Sequence, residues 1–192
     1  MDELRTIKRT LLRVAIVALC ITAAIAIVAV VTASFGETEG RILFTHVLVA
    51  VYCLLALAAT AVGERQPALA GAGLASCAAG LTLGVIETWA DPAGYTLLRW
   101  AFLFFVASFT FAHSALIESR RRDSDGPAVR ALSIATIATG AVLGATIAVA
   151  LAAADDVSDA YLRVVGVLAV LDLLGTAVLP IARKIERAAT DR

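Results

Sequence analysis

Six long apolar stretches, at roughly 14–34, 42–63, 67–86, 95–117, 131–153 and 161–182, take up almost all of this 192-residue chain. Each is about 20–23 residues, the length at which an α-helix crosses about 30 Å of hydrocarbon at about 1.5 Å per residue. The expected fold is therefore all-α: one polytopic domain over residues 1–192, a bundle of six transmembrane helices with no room for a soluble domain. Composition agrees, because 60% of the residues are hydrophobic, well above the share in a soluble domain.

A net charge of zero hides a segregation. Thirteen of the sixteen basic residues fall in the N-terminal segment (Arg5, Lys8, Arg9, Arg13), after the second stretch (Arg65), after the fourth (Arg120, Arg121, Arg122, Arg130) and at the C-terminus (Arg183, Lys184, Arg187, Arg192). The other joints hold Arg41, Arg99 and Arg163 among Glu37, Glu39, Glu87, Asp91, Asp155, Asp156 and Asp159. The positive-inside rule then puts both termini in the cytoplasm of a multi-pass protein of the cell inner (plasma) membrane, which an even number of spans permits. The first stretch has a basic start and Thr32-Ala33-Ser34 before Phe35, as a signal peptide would. Its apolar run is too long for that, so an uncleaved helix is expected. Cys20, Cys53 and Cys77 lie inside spans without CxxC spacing and read as small packing residues.

Each even span opens with an Arg at the outer edge, Arg41, Arg99 or Arg163, and closes on a charged cluster. These interfacial anchors, whose long side chains snorkel to phosphate, mark three helical hairpins of similar plan that begin and end inside. Small residues recur every fourth position in span three (Ala68, Ala72, Ser76, Gly80, Gly84) and in span five (Thr136, Gly140, Gly144, Ala148, Ala152). Such stripes let a neighbouring backbone approach, either inside the bundle or across a contact with a second copy or a membrane-protein partner. Span four carries Trp100, Phe102, Phe104, Phe105, Phe109 and Phe111 and is expected to turn much of its surface to lipid. Trp89, Tyr95, Trp100 and Tyr161 form an outer aromatic belt. Pro67 and Pro127 suit the starts of spans three and five, Asp91-Pro92-Ala93-Gly94 an outer turn, and Pro180 the last turn of span six. The joint from Glu118 to Gly126 is the one polar enough to be flexible.

Asp172 stands apart, because about 11 residues into span six places a carboxylate at mid-bilayer, where it costs several kcal/mol unless protonated, paired or hydrated. It reads either as a proton- or cation-handling group, with Thr176 one turn away, or as a neutral acid clasping a neighbouring helix. His46 and His113 are the only histidines. Counting at 1.5 Å per residue, His46 lies about 6 Å below the outer edge and His113 about 6 Å above the inner edge, some 20 Å apart. They cannot ligate one haem or metal ion together. With Asp172 they give three titratable groups spaced roughly 10 Å apart in depth, a candidate proton path. Thr110, His113 and Ser114 share one face of span four, as an inner vestibule or simple helix–helix contacts.

No serine-nucleophile motif, no His-Glu-x-x-His and no Walker loop is present in the chain. Neither a cofactor nor a metal site is expected, and nothing points to an enzyme. Asp125-Gly126-Pro127-Ala128-Val129-Arg130 resembles part of the motif of CDP-alcohol phosphotransferases, which need four carboxylates for their metals. Arg122 stands where the first acid belongs and Gly144 lies in the region of the later two, so that match fails. Arg120 to Arg122 read as a topology determinant and contact for lipid headgroups, not as a nucleic-acid site.

The runs Phe35-Gly36-Glu37-Thr38-Glu39-Gly40-Arg41-Ile42-Leu43 and Leu171-Asp172, followed by Gly175-Thr176-Ala177-Val178-Leu179-Pro180, resemble uncharacterised six-span integral membrane proteins of actinobacteria. The resemblance implies a layout and brings no activity or site residues. The leading functional expectation is a non-catalytic accessory or scaffold subunit acting by helix packing. The second is a small proton- or cation-linked transporter or channel using Asp172, and the third a lipid-acting enzyme, for which no motif speaks.

Overall fold

In the computed structural model, which describes residues 2–32, 36–63, 65–90, 95–153 and 158–190, the chain is helical throughout. Six helices follow in order: α1 (Asp2–Thr32), α2 (Glu37–Ala59), α3 (Pro67–Ala90), α4 (Thr96–Ser119), α5 (Pro127–Ala153) and α6 (Asp159–Thr190), with α2 ending in a 3₁₀ turn, Thr60–Val62. All six are long and apolar enough to cross a membrane, so the chain has the build of a multi-pass membrane protein. The expected turn at 91–94 and the acidic pair Asp155 and Asp156 lie outside the described residues, as does Glu64.

The helix bounds follow from local chemistry. Pro67 and Pro127 each occupy the first helical position, where a missing N–H costs nothing. Beyond the apolar limits, α1 starts at Asp2 and α6 continues to Thr190, because Asp-Glu-Leu-Arg at one end and Arg-Lys-Ile-Glu-Arg-Ala-Ala at the other are mostly good helix formers. Pro180, placed by the sequence reading in the last turn of the apolar span, lies inside α6, which continues ten residues beyond it, to Thr190. Its absent N–H leaves the Thr176 carbonyl, four residues earlier, without an intrahelical backbone donor. Hydroxyls within the helices are satisfied locally: Thr82, Ser108, Thr110, Ser133 and Thr136 each donate to the carbonyl four residues back, at 2.7–2.9 Å. A serine or threonine so bonded can reside in hydrocarbon without a partner helix.

The fold consists of two compact units, residues 1–112 and 113–192, divided within α4. In the first, α1 packs on α2 and α2 on α3. Tyr52, Ala56 and Cys77 are buried at its core, wrapped by Leu11, Leu48, Leu55, Leu74 and Leu81. The buried face of α3 is Ala70, Gly73, Cys77, Gly80 and Gly84. That spacing alternates three and four residues and holds one face, whereas strict four-residue steps drift around the helix. Ala68 and Ala72, from the expected stripe, are accordingly exposed, while Gly80 and Gly84 belong to both patterns. A Cβ on Gly73 would stand 2.6 Å from that of Ala59, and one on Gly80 2.7 Å from Cζ of Tyr52, so both contacts need glycine. The Tyr52 ring meets Phe105 edge to face, with centroids 6.1 Å apart. Trp89 Nε1 donates to Thr45 Oγ1 at 3.0 Å, tying the end of α3 to the start of α2.

In the second unit α5 packs on α6. Ile117, Val129 and Leu179 form its core with Leu132, Ile137 and Ala182. On α5 the buried residues are Val129, Ser133, Thr136, Gly140 and Gly144, so the expected stripe is buried over Thr136, Gly140 and Gly144, whereas Ala152 is exposed. The joint expected to be flexible from Glu118 to Gly126 begins after Ser119, the last residue of α4, and is held by hydrogen bonds. The Arg122 N–H donates to Asp125 Oδ2 at 3.0 Å, and Arg130 holds the Asp125 and Asp123 carbonyls at 2.7 and 2.6 Å. The Gly126 N–H donates to Glu186 Oε2 at 3.0 Å, and Arg183 Nε lies 3.4 Å from Asp125 Oδ2. Asp125 and Gly126 fasten the joint to α6, and Arg130 holds its backbone.

Candidate functional site

Asp172 and Thr176 lie one turn apart on α6, and His113 belongs to the last two turns of α4. His113 Nε2 is 3.2 Å from Asp172 Oδ1, with the two side chains 18% and 14% exposed. Thr176 Oγ1 donates to the Asp172 carbonyl at 2.8 Å and lies 3.5 Å from the same His113 nitrogen. Because the threonine proton is committed to that carbonyl, the proton in the His113–Asp172 contact comes from one of the pair, either Nε2 donating to the carboxylate or the carboxyl donating to Nε2. The neighbouring wall is Gly140, where a Cβ would stand 3.0 Å from Asp172 Oδ1 and 3.3 Å from Cδ2 of His113.

The sequence reading separates His113 and Asp172 by roughly 10 Å in depth, at about 1.5 Å per residue, and the structure brings them into contact. Counting from span edges assumes upright helices of equal length. α6 instead runs past the expected end near 182 to Thr190 and is fastened to the α4–α5 joint at Arg183 and Glu186. Asp172 is then about 16 Å above that joint, eleven residues at 1.5 Å. His113 stands six residues above the end of α4, and the joint residues and the imidazole's reach make up the remainder.

The other candidates do not join this centre. His46 belongs to the first unit, where its Nδ1 lies 2.8 Å from the Ile42 carbonyl oxygen. Thr110 donates to the Val106 carbonyl at 2.9 Å. Among the proposed anchors, Arg41 pairs with Glu37 one turn earlier, while Arg99 and Arg163 are exposed. Cys20, Cys53 and Cys77 are free thiols. Among the described residues no three His, Cys, Asp or Glu side chains gather as a metal site would require.

Chemically, the pair is an acid and a base sharing one contact between apolar helices. It can exist as imidazole with a carboxylic acid or as imidazolium with carboxylate, and a proton moves between those forms over one hydrogen bond. Separating the two while charged is costly, because each would then be left without a counter-charge in a low-dielectric setting.

Three residues escape the sequence reading. Gly140 is visible there only as one of a stripe, although its lack of a side chain is what admits the pair. Arg183 is assigned to topology, yet its side chain is 10% exposed with a buried Nη2 that has no hydrogen-bond partner among the described residues. Glu87 is grouped with the outer joints, although α3 extends to Ala90 and buries its Oε2. Comparison with family models, with curated proteins and with solved structures finds no match for this chain.

Proposed function

We propose that this chain is a multi-pass protein of the cell membrane, its six helices arranged as three hairpins with both termini cytoplasmic, and that it performs proton- or cation-linked transport centred on His113 and Asp172. The observation that carries the reading is the 3.2 Å contact between an imidazole and a carboxylate within two long apolar helices. A clasp between helices needs only one neutral donor and acceptor. A titratable pair in that position is expensive and is characteristic of proton relays and ion paths. Thr176, on the same imidazole nitrogen, offers an oxygen to a proton or small cation passing from one group to the other.

The test is proton flux into proteoliposomes under an imposed membrane potential, read with an entrapped pH dye. Wild type is expected to acidify the lumen, and Asp172→Asn to lose at least about tenfold of that rate, the effect of about 1.4 kcal/mol on a barrier. Equal flux for the two proteins sinks the reading.

A second reading, a non-catalytic accessory subunit that packs against itself or a membrane partner, is favoured by α6. Val170, Leu171, Leu173, Leu174, Val178 and Ile181 are all at least 42% exposed, so apolar surface surrounds most of this helix. Lipid covers such a surface equally well. Site-specific crosslinking from Leu173 separates the two: an oligomer or partner adduct supports packing, and a lipid adduct alone does not.

A further inference from the structure

The first unit contains a cavity of about 240 Å³ between α2, α3 and α4. Four aromatic rings, Phe44, Tyr52, Phe102 and Phe105, contribute to its wall, and among the described residues its one charged lining residue is Glu87. The Oε2 of Glu87 is buried and has no hydrogen-bond partner among the described residues. Glu87 also stands in the last turn of α3, where the negative end of the helix dipole disfavours a carboxylate. A half-buried acid whose Oε2 has no donor among the described residues, against its helix dipole and among ring faces, is an electrostatic cost that a bound cation would offset. Phe44 and Phe102 are about half exposed, so the cavity is open past their rings.

We propose that this cavity binds a small organic cation with an apolar body, an amine or quaternary ammonium. The charge complements the Glu87 carboxylate, the ring faces attract the same cation through their quadrupoles, and the apolar part fills the remaining wall. A neutral apolar guest would gain the burial and leave the carboxylate oxygen uncompensated. A hydrated inorganic cation would lose its water for a single carboxylate, where such ions take about six or more oxygen ligands. The site shares no residue with the His113–Asp172 pair and does not rest on it.

The probe is benzyltrimethylammonium, titrated calorimetrically into the full chain in nanodiscs of zwitterionic phosphatidylcholine. Wild type is expected to bind it saturably at one site. Glu87→Gln weakens binding about tenfold or more, a loss of about 1.4 kcal/mol. Phe102→Ala, which removes a half-exposed ring and no charge, weakens it about threefold to fivefold. Glu118→Gln, whose partner is Arg121, leaves it unchanged. Circular dichroism checks that each variant retains its helices, and Phe102→Ala decides the matter if Glu87→Gln does not fold. Binding no stronger than to empty nanodiscs overturns the proposal. So does equal binding to wild type and Glu87→Gln, or a phospholipid held in the native mass spectrum that the probe does not displace.

Discussion

Gly140 stands against Asp172 with no side chain between them: a methyl group on Gly140 would lie 3.0 Å from the Asp172 Oδ1 atom. The pair with His113 thus depends on a third helix, which at Gly140 presents no side chain to it. Gly140→Ala forces the carboxylate to shift by a few tenths of an ångström, and Gly140→Leu displaces it. Overpacking of this kind destabilises by about 1–3 kcal/mol. Flux assays and unfolding in mixed detergent should rank wild type, Gly140→Ala and Gly140→Leu in that order, and an unchanged Gly140→Leu would show that Asp172 does not need this wall.

Stability and function at the pair are separable by a double-mutant cycle. His113→Leu leaves the carboxylate without its partner and should destabilise the protein by about 3 kcal/mol, as should Asp172→Leu with the imidazole left behind. The double variant replaces both by apolar groups and is expected to cost no more than either single one, about 3 kcal/mol in place of the additive sum, a coupling of about 3 kcal/mol. It should nevertheless carry no proton flux. A stable double variant with wild-type flux would remove both groups from the mechanism.

The α4–α5 joint offers a test away from that centre. Asp125, 7% exposed, faces the buried guanidinium of Arg183, and its carboxylate also takes the Arg122 N–H. Asp125→Ala strands a buried cation and should cost about 3 kcal/mol, whereas Asp125→Asn retains an acceptor and should cost about half as much. Unfolding midpoints that fall together for the two variants would mean that the charge contributes nothing.

In the first unit, Gly80 is pressed against the Tyr52 ring, and an added Cβ would fall 2.7 Å from Cζ. Gly80→Ala is expected to destabilise by about 2 kcal/mol. Tyr52→Phe should not relieve it, because the ring carbon is itself in the way, whereas Tyr52→Leu should. Relief by Tyr52→Phe, measured as a restored unfolding midpoint, would put the conflict at the hydroxyl alone.

The six helices are legible in the sequence because hydrocarbon thickness imposes a length and excludes charge, and those two demands leave a mark at every span. Which residues meet across helices leaves a weaker mark. The four-residue stripe on α3 catches Gly80 and Gly84 and misses Ala70, Gly73 and Cys77, since the true seam alternates three and four. His113 and Asp172 are each visible as polar interruptions, but their contact depends on how far α6 extends and where it is fastened. Neither follows from hydropathy, because Arg183 to Ala189 are polar enough to end a span and still good enough helix formers to prolong a helix. Glu87 is missed for the same reason at the other boundary: a charge near a span edge reads as a joint, while the helix runs three residues beyond it.

Asp172 and Arg183 are mounted on a single rod, eleven residues apart, each gripped from α4 or its following joint, with Pro180 between them. A rod held at two points cannot slide lengthwise without breaking both grips at once. It can flex where its ladder lacks a rung, one turn beyond Thr176. A movement of the α6 backbone that opens the His113–Asp172 contact while Arg183 stays in place is therefore a tilt of the upper segment about Pro180, with the lower segment as its fixed mount.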